Sequence, residues 1–215
     1  MNYLELAIPE KIKLVAVSKT KPVDEILKIY NLGQRDFGEN KVQEMVFKQP
    51  NLPQDIHWHF IGHLQTNKVR YIAPFVHLIH SIDSLKLLSE INKQALKNNR
   101  IIDCLLQIFI ATEETKFGLD QSEAVELLNS VDYKSLKNIR ICGVMGMATF
   151  TNDESLIRKE FRNLISIHSL LKEKFFSDRS YFTEISMGMS DDYRIAIEEG
   201  STIVRIGSAI FGKRN

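Results

Sequence analysis

The sequence predicts a single (β/α)8 barrel, the TIM-barrel arrangement in which eight parallel strands are each followed by a helix. Three observations carry this. Strand-like apolar runs begin eight times between Lys13 and Ile203, at a mean spacing of about 27 residues, close to what an eightfold barrel needs. The run from Ile101 to Ile110 is too apolar to have a wet face, so helices must cover both of its sides, as in a parallel sheet. The rival is a doubly wound open sheet, but no glycine-rich dinucleotide turn and no long excursion interrupts the eight units.

Taken in order, Lys13 to Ser18 reads as a buried strand with Leu14, Val15, Ala16 and Val17 as its apolar body, ending on Lys19. Pro22 opens the next helix, with Val23, Ile26, Leu27 and Tyr30 on one face and Gly33 as its stop. Asp36-Phe37-Gly38 is a short second strand running into Glu39-Asn40, and Val42, Met45 and Val46 give the following helix its apolar side. Trp58-His59-Phe60-Ile61 is the third strand, and Lys68 to Ala73 a brief helix stopped by Pro74. Val76 to His80 makes the fourth strand, after which Ser84 caps a helix whose Leu87, Leu88, Ile91 and Ala95 recur at three and four.

The fifth strand is Ile101 to Ile110. Asp120 and Glu123 then form an N-terminal capping pair ahead of Val125, Leu127 and Leu128. Ile139 to Met145 is the sixth strand, and Ile157, Phe161, Leu164, Ile165, His168, Leu171 and Phe175 mark the longest amphipathic helix. Phe182 to Ile185 gives the seventh strand, Asp191 to Glu199 its helix, ended at Gly200, and Ile203 to Ile206 the eighth strand.

Bulk properties narrow the function classes. No Pro/Gly/Ser-rich linker or charge block divides the 215 residues, so residues 1–215 are expected to form one domain. Basic and acidic residues number 28 and 27, a net charge of +1, without a basic, stacking-rich face; this argues against a nucleic-acid or membrane-surface partner. The start, Met1 to Glu10, has no basic segment leading into an apolar core, and no run reaches membrane-spanning length, so the expected location is cytoplasmic. Cys104 and Cys142 both fall in apolar strand-like runs and are expected to be buried free thiols. No helix face carries an obvious apolar excess, and a monomer is expected.

In such a barrel the chemistry sits at the C-terminal ends of the strands, and phosphate lies by the loops after strands seven and eight. Lys19 stands at the first of these ends. Partial desolvation at the mouth of an apolar strand lowers a lysine's pKa and leaves a neutral amine able to form a Schiff base with an aldehyde or ketone. Alone it reads first as a solvated cation leaving the sheet, since most lysines at strand ends are exposed charges. Ser186-Met187-Gly188-Met189-Ser190-Asp191 and Arg205-Ile206-Gly207-Ser208-Ala209-Ile210-Phe211-Gly212 each offer small residues, a hydroxyl and backbone N–H groups. Either turn by itself is ordinary; the pair in the expected two positions reads as a phosphate cup. Asp191 and Asp192 would repel a phosphate unless they point away.

Arg205 shares the face of Gly207 on an extended strand, directed toward the barrel mouth or interior. With a phosphate on Ser190, Gly207 and Ser208, its guanidinium would reach the ring nitrogen of pyridoxal phosphate. A pKa above about 12 and the lack of any acceptor would keep that nitrogen unprotonated. His57, His59 and His63 raise a metal reading, with His57 and His59 on one strand face. No carboxylate or thiolate sits at a supporting spacing, so no metal is expected and these histidines should bond to backbone or water. Lys116-Phe117-Gly118 and Met145-Gly146-Met147 read as turns at strand ends, where the methionines could pack on a planar cofactor.

The runs Val17-Ser18-Lys19-Thr20-Lys21-Pro22, Phe37-Gly38-Glu39-Asn40, Trp58-His59-Phe60-Ile61-Gly62, Leu64-Gln65-Thr66-Asn67-Lys68 and His80-Ser81-Ile82-Asp83 arrive in a telling order. With the Ser186 to Asp192 run and Arg205-Ile206-Gly207-Ser208, the whole chain resembles the pyridoxal phosphate homeostasis proteins, the YggS/PROSC family. The resemblance implies a barrel like the N-terminal domain of alanine racemase and pyridoxal 5'-phosphate held as an internal aldimine on Lys19. It further implies that Ser190, Gly207 and Ser208 hold the phosphate, that Arg205 faces the pyridine nitrogen, and that Asn40 lies near the ring. The implied role is to bind and distribute the cofactor, with pyridoxal-phosphate-dependent apoenzymes as recipients, without turnover of a known substrate.

A racemase needs an acid and a base on opposite faces of the α-carbon, and Lys19 can serve one face only. The expectation is that the opposing tyrosine, which alanine racemase draws from a second, β-rich domain, is absent from a chain stopping at Asn215. An unprotonated ring nitrogen would further disfavour the carbanion that most pyridoxal phosphate enzymes stabilise. Two alternatives stay open: a small amino-acid racemase or other pyridoxal phosphate enzyme, and a class I aldolase using the same lysine on a sugar phosphate.

Overall fold

The computed structural model describes residues 6–111 and 118–212. Eight strands, β1 (Lys13–Val17), β2 (Asp36–Glu39), β3 (His57–Phe60), β4 (Leu78–Ile82), β5 (Ile102–Gln107), β6 (Ile139–Met145), β7 (Glu184–Ser186) and β8 (Ile203–Ile206), close into one barrel in sequence order. Every pairing is parallel, and β1 closes the ring against β8 through Lys13↔Ile203 to Ala16↔Ile206. Around it run α1 (Val23–Asn31), α2 (Val42–Lys48), α3 (Val69–Ile72), α4 (Leu85–Lys97), α5 (Gln121–Asn129), α6 (Val131–Ser135), α7 (Glu154–Phe175), α8 (Tyr193–Glu198) and α9 (Ser208–Phe211). No helix of the described residues is long and apolar enough to cross a membrane.

The anticipated caps form as the side chains dictate. Ser84 accepts from the Leu87 N–H, and Asp120 and Glu123 exchange side-chain and backbone bonds in a full capping box. Two strands, β4 and β7, start later than the apolar pattern suggests by two residues each, because apolarity marks burial while backbone bonding marks the strand. Val76 closes the turn after α3, its N–H donating to Ile72 O, so β4 begins at Leu78. Phe182 sits in a turn bonded to Arg179, and β7 begins at Glu184. In α2, Val46 is exposed, whereas Lys48 is buried beside Val42 and Met45. α6 and α9 carry too little periodicity to be seen beforehand. Lys116 and Phe117 lie outside the described residues, next to Gly118.

The larger core fills the layer between strands and helices, where Phe37, Phe60, Phe161 and Phe182 are among the largest fully buried side chains. Inside the barrel the packing is mixed. Val15, Leu78, Leu105, Cys142, Met145 and Ile203 form a small apolar cluster, and His59, His80, Ser186 and Arg205 are buried polar side chains of the same strands. Both cysteines are free and buried, and burial raises both thiol pKa values, that of Cys142 to about 12, so neither is a ready thiolate.

Candidate functional site

Lys19 stands two residues beyond β1, in a loop held on both sides. The preceding Ser18 donates its hydroxyl to Glu39 Oε1 at 2.7 Å, and its carbonyl accepts from Lys48 Nζ at 2.9 Å. The following Thr20, at φ +66°, donates its N–H to Glu44 Oε2 at 2.7 Å. A positive φ is a costly conformation for a β-branched residue, so it persists only where the surroundings over-determine it. Lys48 completes the clamp, 2.7 Å from Glu39 Oε1 and 3.4 Å from Glu44 Oε2. One residue on, Lys21 Nζ donates to Phe211 O at 2.9 Å, tying this loop to the end of α9.

The loops after β7 and β8 meet opposite. Ser190 Oγ accepts the Gly207 N–H at 3.2 Å, and the Arg205 N–H donates to Gly188 O at 2.9 Å. Gly188, at φ +93°, has no room for a side chain: a Cβ would lie 2.5 Å from Ala196 Cβ. Asp192 is drawn into its own loop, where Oδ1 accepts the Met189 N–H at 2.5 Å and burial raises its pKa. Asp191 remains exposed on the rim. The repulsion anticipated from both acids therefore concerns Asp191 alone.

Lys19, Asn40, Ser190, Arg205, Gly207 and Ser208 all line one cavity of about 330 Å³ at the C-terminal end of the strands. Met147 is also on its wall, while Met145 and Met187 are buried below. Asn40 Oδ1 is buried and takes no hydrogen bond from the described residues, an acceptor awaiting a donor. Its backbone is pressed by Gly62, where a Cβ would come within 2.3 Å of Asn40 O. Gly62→Ala should therefore displace Asn40 and lower stability by about 1–3 kcal/mol, read from urea unfolding; a variant within about 0.5 kcal/mol of the parent would show that the contact relaxes freely.

Arg205 forms the floor of the cavity and the top of a polar file running down the barrel. It donates to Gly146 O at 3.1 Å and to Ser186 Oγ at 2.5 Å. Ser186 Oγ meets His80 Nδ1 at 2.9 Å, His80 Nε2 meets His59 Nδ1 at 2.9 Å, and His59 Nε2 meets Asp36 Oδ1 at 2.9 Å. A donor-only guanidinium at one end and an acceptor-only carboxylate at the other admit one proton order. Each neutral ring carries its proton on Nε2, and Ser186 donates to His80. Burial holds both histidines below their ordinary pKa, keeping them neutral, and lowers Arg205 to about 10, under the value assumed from its residue type. It still carries its charge at neutral pH.

The metal reading needs correcting in one respect. A carboxylate does reach the histidines of β3, because Asp36 on neighbouring β2 pairs in register with His57 and bonds His59. His63 lies apart, against Asp83 at 3.3 Å. Sequence reasoning missed Glu39, Glu44 and Lys48 as supports of the Lys19 loop, and Ser186, His80 and Asp36 as members of the polar file that runs from Arg205 to the far end of the barrel. The signals available were an i, i+4 Glu44–Lys48 pair and the alternation of His57 and His59; neither reveals which neighbouring strand supplies the partner.

A family profile described as alanine racemase, N-terminal domain, matches residues 2–215. Over 203 residues the chain is 41% identical to the pyridoxal phosphate homeostasis protein of Aquifex aeolicus, covering 94% of this chain and 87% of that one. The chain belongs to the pyridoxal phosphate homeostasis protein family. The human member is 39% identical over 213 residues, covering 94% of this chain and 77% of its own. Among solved structures, PipY of Synechococcus elongatus with pyridoxal phosphate bound superposes with a TM-score of 0.86 at 32% identity, covering 97% and 96% of the two chains. Alanine racemase of Clostridium difficile, at 16% identity and a TM-score of 0.70 over 93% of this chain and 52% of its own, shares the fold with this family member.

Proposed function

We propose that this chain binds pyridoxal 5'-phosphate in the cavity at the C-terminal end of its barrel, covalently at Lys19, and serves cofactor homeostasis in the cytoplasm without catalytic turnover. The observation that carries the reading is the convergence of Lys19, Arg205 and the Ser190 and Gly207-Ser208 turns on one cavity. Family membership and the ligand of the cyanobacterial relative support it.

The residues fit the group. Pyridoxal phosphate supplies an aldehyde that condenses with a primary amine, a planar ring and a dianionic tail. Lys19 presents the amine from a loop fixed by Glu39, Glu44 and Lys48. Ser190, Gly207 and Ser208 provide hydroxyls and backbone N–H groups for the tail. Asn40 offers an unfilled acceptor. Arg205, charged at neutral pH, presents donors only and holds an unprotonated ring nitrogen. Lys21, the nearest other amine on the cavity wall, is committed to Phe211 O and Glu25, so it is poorly placed to act as a second base. The recipients in this reading are pyridoxal-phosphate-dependent apoenzymes, and the working unit is a monomer.

The test is an absorbance titration of apo-protein with pyridoxal phosphate, then borohydride reduction and peptide mapping. One adduct per chain on Lys19 is expected, with none in Lys19→Ala, while the phosphate cup retains weak affinity. An adduct on another lysine, or none, overturns the reading. Exchange of an amino acid's α-hydrogen with solvent deuterium would move the assignment to the racemase alternative, and trapping of a ketose phosphate without a chromophore would move it to the aldolase.

A further inference from the structure

The opposite end of the barrel holds a second group of chemically able side chains. Four of the six histidines, His57, His59, His77 and His80, fall on β3, β4 and the residue leading into β4. Asp36 and His57 are the first residues of β2 and β3, which places this group at the N-terminal face, away from the Lys19 cavity. One ligating atom each of Asp36, His59 and His77 lies within 4.8 Å of the others. His57 stacks on His77 with ring centroids 4.5 Å apart, and its Nδ1 is 3.5 Å from Asp36 Oδ1. A cavity of about 240 Å³, lined by Lys13, His77, Asp103, Arg140 and Glu184 among others, opens the His77 side of the group to solvent.

We infer that this face carries a site for a divalent transition metal of the zinc type, ligated by Asp36, His59 and His77. Two imidazoles and one carboxylate on adjoining strands suit a borderline cation; Mg²⁺ and Ca²⁺ prefer oxygen alone. His59 has the outer-shell partner such ligands use, since its Nδ1 meets His80 Nε2.

Binding conserves protons. His59 Nε2 gives its place to the metal and the ring keeps its proton on Nδ1, donating to His80 Nε2. The His80 proton moves to Nδ1, facing Ser186 Oγ, and the Ser186 hydroxyl turns away. Occupancy at the base thus reverses the polar file that ends at Arg205. Lys13 faces the group and its charge opposes the cation; across the cavity Asp103 is already paired with Arg140 at 2.7 Å, which leaves Glu184 as the carboxylate that favours it.

The experiment is calorimetric titration of tag-free apo-protein with Zn²⁺, paired with long-range ¹H–¹⁵N spectra of the histidine rings. Expected are one equivalent per chain, a loss of affinity of at least about 10-fold in His77→Ala, tighter binding in Lys13→Gln, and transfer of the His59 proton from Nε2 to Nδ1. His63→Ala, which removes the exposed His63–Asp83 pair, should leave the affinity unchanged. Equal losses in His77→Ala and His63→Ala, or saturation with the His59 tautomer unmoved, would overturn the assignment. Neither outcome bears on whether Lys19 holds pyridoxal phosphate.

Discussion

Replacing Lys48 by methionine is expected to destabilise the fold by about 3–5 kcal/mol, since it strands a buried carboxylate without its cation. Glu39 is fully buried and its pKa is raised by burial even with Lys48 and Ser18 pulling it down. Its Oε2 already lacks a hydrogen bond from the described residues. Such a pair adds little net stability over an apolar one, yet breaking half of it is costly because the remaining ion keeps its desolvation penalty. Glu39→Gln in the same chain should therefore recover much of the loss, measured as the coupling in a double-mutant cycle of urea unfolding. The Lys48 ammonium also holds Ser18 O, and its partner Glu44 holds the Thr20 N–H, so the variant should loosen the Lys19 loop as well. Additive single and double variants would show that the two groups act independently.

Acid should unfold this protein earlier than carboxylate titration alone would require. Burial lowers His59, His77, His80 and His168, the second and fourth to about 4. A histidine with a depressed folded pKa contributes its stability fully above the unfolded value near 6.5, and loses it as the pH falls toward the folded value, because the unfolded chain binds the proton first. Stability should thus be level above about pH 6.5 and fall toward pH 4, by up to about 1.4 kcal/mol per pH unit for each such histidine. Glu39 and Asp192, both raised by burial, oppose the trend as the pH falls through their folded values. His168 stacks on Phe182 at 4.8 Å and belongs to neither polar group, so His168→Phe isolates one share. Chemical denaturation across this range should show a slope shallower by one proton in that variant; an unchanged slope would mean His168 charges freely in the folded state.

Much of the barrel was readable because apolar strand runs recur at an even spacing and several of its helices carry their caps in the chain. Ser84, Asp120 and the apolar stripe of α7 specify those elements within a few neighbours. Strand starts were less readable: Val76 and Phe182 are as apolar as strand residues, but their N–H groups belong to turns. In the candidate site, Lys19, Arg205 and the two glycine-serine turns stood out from residue type and position at strand ends. The supports did not, because Lys48 on an amphipathic helix looks like any solvated lysine until Glu39 is placed against it.

The sequence by itself determined the repeat, the order of the strands and the end of the barrel at which an amine and two small-residue turns would meet. These follow from local periodicity, capping chemistry and the rule that crossovers run one way. Only the tertiary structure decided which buried polar groups pair: Lys48 with Glu39, Asp36 with His59, and the file through His80 and Ser186 to Arg205. Each such partnership joins residues from different barrel strands or helices, so it depends on register and facing direction, and a linear pattern of residue types carries neither.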